Sequence, residues 1–396
     1  MSASAPPTAR LPVVTSGTTL IHLDFLVTGV VMTFLGPMLP YFSSRWMLSD
    51  ARSGSLIFAE FFSSMFGMLL SGFLVERVGY RLTLIVGLVL MPLGASLLAY
   101  GPWSLGLIAI SILGVGYGIT TPAGNLRTAE ANPERSAAAL NVINALWGLG
   151  AMSSPLLVAL ALRARRPSLF FFGIAAALCL LLFALSASRF IPDLHVQGKD
   201  AATRPLWSFR ILPAVCALFF IYVGTETAFG NWAAMYARRI APEHKSLATI
   251  APAFFWGALL LGRASAPIIL KFHRAVVVAR SGLAFGVLGG ITLILAHGMQ
   301  LVLAGCFLAG LGLSSIYPIS VSFLPRWFGE SARTVSGAVF GSGNIGGAVL
   351  PWVVGLISTQ SGDLRWGYLI PLAGAVFMLA FYATQKDGKL EAVSFQ

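Results

Sequence analysis

A few ionisable side chains lie deep inside long apolar segments of this chain. The acids among them are Asp24, Glu60 and Glu226, and Arg263 lies in a further apolar segment. If these segments cross a bilayer, their charged groups are costly and are functional candidates by default. A carboxyl group that is neutral when enclosed and ionised when water reaches it can carry a proton across a membrane. The three acids are therefore the candidates for proton coupling.

Glu226 is the strongest of the three candidates. It lies in "YVGTETAFGNW" (222–232), and the next basic residue along its own segment is Arg238. An enclosed carboxylate without a partner takes up a proton, which is the property that coupling requires. The alternative is a glutamate bonded to another helix for structural reasons alone. Asp24 could instead be a helix-start residue near the interface, and Glu60 could pair with a polar group of a neighbouring helix.

Amide and aromatic side chains form a second set of candidates, for binding a neutral polyhydroxylated ligand. An amide both donates and accepts hydrogen bonds, and an aromatic ring covers an apolar face. In "LNVINALWGLGAMSSP" the spacing leaves two amides and an indole on one broad helical face. The alternative is that such residues only hold helices together. The expected substrate-binding residues are Asn125, Asn141, Asn144, Trp147, Asn231, Trp232, Tyr317 and Asn344.

The composition assigns the chain to the integral membrane proteins. Of its 396 residues, 57% are hydrophobic and only 10% are charged, whereas a soluble domain carries roughly 25% charged residues. The net charge of +12 does not indicate nucleic-acid binding, because the basic residues lie in short loops between apolar segments. Cys179, Cys216 and Cys306 all lie in apolar segments and have no disulfide or metal-site spacing. We expect neither a metal nor a cofactor.

Twelve apolar segments are long enough to cross a bilayer, which takes about 20 residues. We therefore predict an all-α membrane protein with twelve spans. The predicted spans are 17–42, 53–75, 82–99, 103–126, 137–162, 168–190, 210–237, 248–270, 275–296, 299–324, 334–358 and 366–384.

The longest polar connection divides the chain into two halves of six spans. An even number of spans puts both termini on one side of the membrane. Lysine and arginine are more numerous in the loops of that side, although "RARR" at 163–166 opposes the bias. Both termini are therefore expected in the cytoplasm. The expected location is the plasma (inner) membrane. The predicted divisions are a tail 1–16, an N-terminal bundle 17–190, a cytoplasmic linker 191–209, a C-terminal bundle 210–385 and a tail 386–396.

The two halves resemble each other in sequence. The offset that relates Gly114 to Gly310 also relates Pro122 to Pro318, and it holds again in the following pair of spans. A constant offset across two spans indicates a duplicated six-helix unit. Two such units in the same orientation form the major facilitator fold, which places its substrate between the halves near the midplane.

The loop "GFLVERVGYR" (72–81) resembles the signature sequence of that superfamily. Glycine allows close helix approach, and the acid can accept bonds from an arginine or a helix N-terminus of the other half. Such contacts would hold one conformation and break in the other. The acid of this family is usually aspartate, and the chain has glutamate. We expect conformational gating by Gly72, Glu76, Arg77, Gly79 and Arg81.

Longer segments resemble the fucose–proton symporter family, and within it the glucose/mannose–proton symporters most. The resemblance is carried by "FFIYVGTETAFGNW" and "FFWGALLLGR" in spans seven and eight, "GLGLSSIYPISVS" in span ten and "WGLGAMSSPLL" in span five. It implies proton-driven uptake of a monosaccharide by alternating access. Fucose-type members carry a glutamate in span four, where "GITTPAGNL" has no acid. Any coupling carboxylate must then be Asp24, Glu60 or Glu226.

Several alternatives stay open. A proton-driven exporter of a drug or other small metabolite would share the fold, with a more apolar cavity and fewer amides. Sodium could replace the proton, because carboxylate and amide oxygens also suit that ion. An enzyme is not expected, since the sequence has no Ser/His/Asp set, HExxH, CxxC, P-loop or glycine-rich nucleotide loop. We expect a monomer in the lipid bilayer, with a hexose and a proton as partners, and no nucleic acid. Arg263 is expected to extend toward the cytoplasmic end of its span, with pairing to an acid of a neighbouring helix as the alternative.

Overall fold

The computed structural model describes residues 16–188 and 209–384, and within these ranges the regular structure is helical. Nearly all of the predicted tails and of the predicted linker lies outside the described residues. The α-helices are α1 (Ser16–Thr33), α2 (Leu35–Trp46), α3 (Asp50–Leu98), α4 (Trp103–Ala131), α5 (Ser136–Arg163), α6 (Pro167–Ala187), α7 (Leu212–Ile240), α8 (Lys245–Ile269), α9 (Ala275–Ile294), α10 (Met299–Leu313), α11 (Ile316–Phe328), α12 (Ala332–Ser361), α13 (Leu364–Gly367) and α14 (Leu369–Thr384).

The described helices give twelve membrane crossings, as predicted. α3 has 49 residues, which as one straight helix would be about 73 Å long at 1.5 Å per residue, more than twice the thickness of the hydrocarbon core. It contains Gly79 at φ 78°, a conformation that glycine adopts without strain. The chain turns there, so α3 supplies the second and third crossings.

Prolines divide three other crossings into two helices each. A proline cannot donate a hydrogen bond to the carbonyl four residues earlier. Pro37 therefore leaves the carbonyl of Thr33, the last residue of α1, without that bond, and α2 follows. Pro318 lies four residues after Ser314, between α10 and α11. Pro371 likewise lies four residues after Gly367, the last residue of α13, and α14 follows.

Glycines in equivalent places of the two halves confirm the duplication in three dimensions. A Cβ atom on Gly114 of α4 would overlap the backbone carbonyl of Glu60 of α3. A Cβ atom on Gly310 of α10 would overlap the carbonyl of Phe255 of α8 in the same way. The fourth crossing of each half thus packs on the second through a glycine, because only a residue without a side chain permits this approach.

The most extensive contacts between the halves are those of α3 with α12, α5 with α8, and α2 with α7. We call the membrane face where α1 begins and α14 ends the terminal face, and the other the distal face. Near the distal face, Gly54 lies against Trp352, and Gly355 lies against Asp50. Close contact continues inward to the level of Asn344 on α12.

Toward the terminal face the halves are apart. In the described part of the chain, Cβ atoms added at Gly72 of α3 or at Gly337 and Gly341 of α12 would meet nothing within 4 Å. α5 and α8 contact each other where Gly148 meets Leu260, about halfway along both helices. The cleft between the halves therefore opens to the terminal face and is closed to the distal face.

Candidate functional site

Glu226 has a partner on the neighbouring helix α8. Arg263 of α8 donates a hydrogen bond from Nη2 to Glu226 Oε1 at 2.8 Å. The same nitrogen lies 3.3 Å from the hydroxyl oxygen of Tyr222. The expectation that Glu226 lacks a partner was wrong. Arg263 does not extend toward the end of its span but follows the alternative, pairing with an acid of a neighbouring helix. Only the packing of α7 on α8 brings the two together.

Tyr222 and Glu226 are one helical turn apart on α7, so their side chains lie on the same face. Tyr317, which follows the break between α10 and α11, brings its ring to 5.8 Å from that of Tyr222. Phe219 and Phe340 lie against the Tyr317 ring at 5.7 and 6.2 Å. The ion pair is therefore covered by aromatic rings, and Tyr222 is a site residue that an i, i+4 search from Glu226 could have found.

Glu60 lies on α3, on the other side of the seam between the halves. Its side chain is fully buried, and neither carboxyl oxygen has a hydrogen-bond partner among the described residues. Its titratable neighbour is Tyr117 of α4, whose hydroxyl also has Thr121 and Trp147 beside it. The Thr121 hydroxyl and the Trp147 indole N–H are likewise buried without a partner in hydrogen-bond geometry in the described chain. We call these four residues the Glu60 cluster.

Two tryptophans join the Glu60 cluster to the C-terminal half. Trp147 of α5 and Trp256 of α8 meet edge to face, with ring centroids 6.0 Å apart. Trp256 precedes Arg263 by seven residues, or about two turns, on the same face of α8. Tyr117 is also close enough to Tyr317 to interact electrostatically. The Glu226–Arg263 pair and the Glu60 cluster thus lie on opposite sides of the seam between the halves.

The structure does not bring Asp24 to this seam. Asp24 is 4% exposed and its carboxyl oxygens have no partner among the described residues. It borders a small pocket inside the N-terminal half, lined by leucines of α3 and α6 such as Leu84, Leu88 and Leu181. Its position eight residues into α1 could not reveal which face of the helix it occupies.

Three of the predicted amides lie toward the terminal face. Asn144 is one turn from Gly148, the residue of α5 that packs against Leu260 of α8. Asn141 and Asn144 are exposed on this side of the helix, where the halves separate. Asn144 Nδ2 donates to the Leu140 carbonyl at 2.8 Å, and Asn125 Nδ2 donates to the Thr121 carbonyl at 2.9 Å. Their carbonyl oxygens are the groups that could meet a ligand.

The other predicted binding residues separate into two kinds. Asn344 of α12 lies at the seam, where Ser64 Oγ donates to its Oδ1 at 3.4 Å. Asn231 is buried and donates to the Thr227 carbonyl of its own helix at 3.1 Å. Trp232 is fully buried, and its Nε1 donates to the Pro351 carbonyl at 2.9 Å. Trp232 therefore connects α7 to α12 near the distal face and does not join the other site residues.

The predicted gating residues all lie at the terminal face. Gly79 makes the turn between the second and third crossings, and Arg81 donates to the Ser186 carbonyl. Glu76 and Arg77 are exposed, and the guanidinium of Arg77 lies 4.4 Å above the Phe73 ring. In this conformation the loop makes its contacts within the N-terminal half.

Two repeated six-helix units, a cleft between them and buried charges at their seam define a polytopic membrane transport protein. A sequence model of the Major Facilitator Superfamily matches residues 25–240. The chain belongs to this superfamily and is a multi-pass membrane transporter, not an enzyme.

Relatives and solved structures extend this likeness over most of the chain. The glucose/mannose transporter GlcP of Bacillus subtilis (strain 168) is 24% identical over 364 residues, which cover 86% of this chain and 87% of GlcP. The D-xylose-proton symporter matches 93% of this chain and 97% of its own at a TM-score of 0.75 and 14% identity. The nucleoside transporter NupG matches 94% and 99% at a TM-score of 0.70 and 16% identity. At these identities the solved structures establish the fold alone.

Proposed function

We propose that the protein takes up a monosaccharide together with protons by alternating access. The observation that carries the proposal is the seam, where a carboxyl without a partner and a buried ion pair lie on opposite sides of a pair of tryptophans. The relative GlcP transports glucose and mannose by its name, and the D-xylose-proton symporter has the same fold. Both names support a sugar as the substrate, and the second also supports a proton as the coupling ion.

The sugar would bind beside the indoles of Trp147 and Trp256, which are in direct contact with each other. Their edge-to-face arrangement offers two apolar surfaces at a right angle, which suits a pyranose ring whose faces are apolar and whose edge is polar. Tyr317 and Asn344 would supply contacts from the C-terminal half, and Asn125, Asn141 and Asn144 would guide the sugar along the cleft. Asn231 and Trp232 act in this proposal as structural residues.

Alternating access would use the difference between the two faces. If the basic loops keep both termini in the cytoplasm of the cell, the cleft opens inward, and the distal contacts close the outer side. In the outward-open state the terminal ends of α3 and α12 would approach each other. Gly72 would then permit close contact, and Glu76 would reach a partner of the C-terminal half.

Two alternatives to proton-driven sugar uptake must be distinguished by experiment. An exporter of a drug or small metabolite would use the same fold in the other direction, and a sodium ion could take the place of the proton. The amides and indoles along the cleft favour a polyhydroxylated substrate over an apolar one. At the seam, the carboxyl of Glu60 without a partner in the described chain favours a proton, because sodium sites generally need several oxygen ligands around the ion.

Purified protein in proteoliposomes tests the proposal. Vesicles loaded at alkaline pH and diluted into acidic, sodium-free buffer should accumulate labelled glucose, mannose, galactose or xylose above the outside concentration. A protonophore should abolish the accumulation, and a sodium gradient at equal pH should not replace it. Labelled nucleosides serve as a comparison panel. If no monosaccharide is accumulated under the pH gradient, the proposed function is wrong.

A further inference from the structure

The three buried acids occupy different environments, and only one of them combines access to the seam with freedom from a partner. Glu226 is engaged by Arg263 at 2.8 Å. Asp24 is enclosed by leucines within the N-terminal half. Glu60 is buried at the seam, and both of its carboxyl oxygens lack a partner in the described part of the chain. Its environment therefore differs in kind from the other two.

The neighbours of Glu60 are polar but uncharged. α4 contributes the Tyr117 hydroxyl, and the backbone of α4 is in direct contact at Gly114. α12 approaches the same stretch of α3 through Gly347, which lies against Phe61, and through the Asn344 amide, which meets Ser64. No basic group lies beside Glu60 in the described chain, so a negative charge on it would have no counter-ion.

A buried polar atom without a partner in the protein takes one from water or from a ligand. In the Glu60 cluster the Glu60 carboxyl is such a group. The Thr121 hydroxyl and the Trp147 indole N–H, which lie beside the Tyr117 hydroxyl, also have no partner in hydrogen-bond geometry in the described chain. A protonated carboxyl both donates and accepts, a hydroxyl does the same, and an indole N–H only donates. Neighbouring hydroxyl groups on one edge of a sugar can satisfy this set, since each hydroxyl donates once and accepts twice.

We propose that Glu60 is the residue at which proton and sugar meet: its protonated carboxyl donates a hydrogen bond to a sugar hydroxyl, beside Thr121 and Trp147. This inference rests on the proposed function and selects one acid among the three candidates. On the outer side Glu60 gains a proton and the sugar binds to the neutral form. On the inner side the sugar leaves, and the carboxyl releases its proton to the cytoplasm.

The charges of the site give this scheme its stoichiometry. The Glu226–Arg263 pair is neutral as a unit, and protonated Glu60 is neutral as well. The loaded site therefore crosses the seam without net charge, whereas the empty site with ionised Glu60 carries one negative charge. The scheme transports one proton, and hence one positive charge, with each sugar molecule.

Sugar binding measured over a range of pH tests the inference directly. In the wild-type protein, the affinity for labelled glucose, or for the sugar that the uptake panel identifies, should fall about tenfold per pH unit above the midpoint, as expected when one proton is required for binding. Glu60→Gln keeps a neutral donor and acceptor, so it should retain the low-pH affinity at every pH. It should lose concentrative uptake and keep counterflow exchange. Glu60→Ala should bind weakly throughout.

Two further variants act as controls. Asp24→Asn removes a buried acid of the same half without touching the cluster, and its pH profile should equal that of the wild type. Thr121→Val keeps Glu60 and removes one hydroxyl, so it should weaken binding by about tenfold at each pH and leave the midpoint in place. If Glu60→Gln keeps the wild-type pH profile, or if Asp24→Asn flattens it, the inference is wrong.

A substrate-independent measurement separates this inference from the proposed function. In infrared difference spectra of the purified protein over a pH titration, Glu60→Gln should lose a protonated-carboxyl band that Asp24→Asn retains. A wild-type protein that moves no monosaccharide but shows this band refutes the sugar assignment and leaves Glu60 as the proton site. If the band assigned to Glu60 is still present in Glu60→Gln, Glu60 is not the residue that takes up the proton, whatever the substrate is.

Discussion

Arg239 of α7 holds both carboxylate oxygens of Asp50 of α3, with N–O distances of 2.8 and 2.5 Å, and so joins the two halves at the distal face. The Ser358 hydroxyl of α12 donates to the same carboxylate. Next to it, the Ala51 amide donates to Thr359 Oγ1 at 2.8 Å. Two helices of the C-terminal half thus converge on the first turn of α3. A bidentate arginine–carboxylate contact is specific in geometry and stronger than a neutral hydrogen bond.

Breaking this ion pair should open the distal face. Hydrogen bonds to charged groups contribute about 1.5–3 kcal/mol, so Asp50→Asn should shift the balance of conformations about tenfold or more toward the distal-open state. Spin labels at two exposed distal positions, Arg163 and Glu243, should report a longer distance in a cysteine-free background. Arg238→Gln, one residue from Arg239, is the matched control. An unchanged distance distribution in Asp50→Asn would show that other contacts close this face.

Neutralising Glu226 should destabilise the protein through Arg263. Removal of one partner of a buried ion pair costs about 3–5 kcal/mol because the other charge stays buried. Glu226→Gln should therefore lower the thermal unfolding temperature in detergent. The double variant Glu226→Gln/Arg263→Gln removes both charges and should recover most of the loss. A double variant as unstable as the single one would mean that the Arg263 charge is not the cause.

Two tryptophans should separate substrate binding from packing. Trp232→Phe removes the donor to the Pro351 carbonyl and should reduce stability by about 1–3 kcal/mol, with the sugar affinity of the folded protein unchanged. Trp147→Phe should reduce sugar affinity and cost less stability than Trp232→Phe, because its indole N–H has no partner in hydrogen-bond geometry in the described chain. Thermal unfolding and sugar binding, measured on both variants, give the comparison. The reverse pattern would exchange the roles of the two residues.

Gly72 should matter only in the conformation that the structure does not show. A side chain added there meets nothing within 4 Å in the present state, so Gly72→Val should leave thermal stability unchanged. If the terminal ends of α3 and α12 close together during transport, the same variant should slow transport. Gly118→Val, which would overlap the Ser64 carbonyl in the present state, is the contrasting control and should reduce stability. Wild-type transport by Gly72→Val would contradict closure at this position.

The sequence was sufficient for the class and the framework of the protein. A bilayer requires about 20 apolar residues per crossing, so twelve crossings could be counted, and the glycine and proline offsets indicated the repeat. The helix ends were less predictable. α3 begins at Asp50, and its helix of the second crossing extends as far as the turn at Gly79, because a helix extends beyond the apolar stretch into the interface wherever its backbone bonds remain satisfied.

The tertiary structure decided which polar groups meet. Glu226 and Arg263 are 37 residues apart on neighbouring helices, and no spacing rule relates them. Asp24 and Glu60 are both acids in apolar segments, yet one faces leucines inside a half and the other faces the seam. Both Trp147 and Trp232 lie in apolar helices, yet Trp147 meets Trp256 at the seam and Trp232 connects α7 to α12 inside the C-terminal half. Sequence periodicity defines the faces of a helix, but the neighbour of each face depends on how twelve helices pack, and that packing is a property of the whole fold.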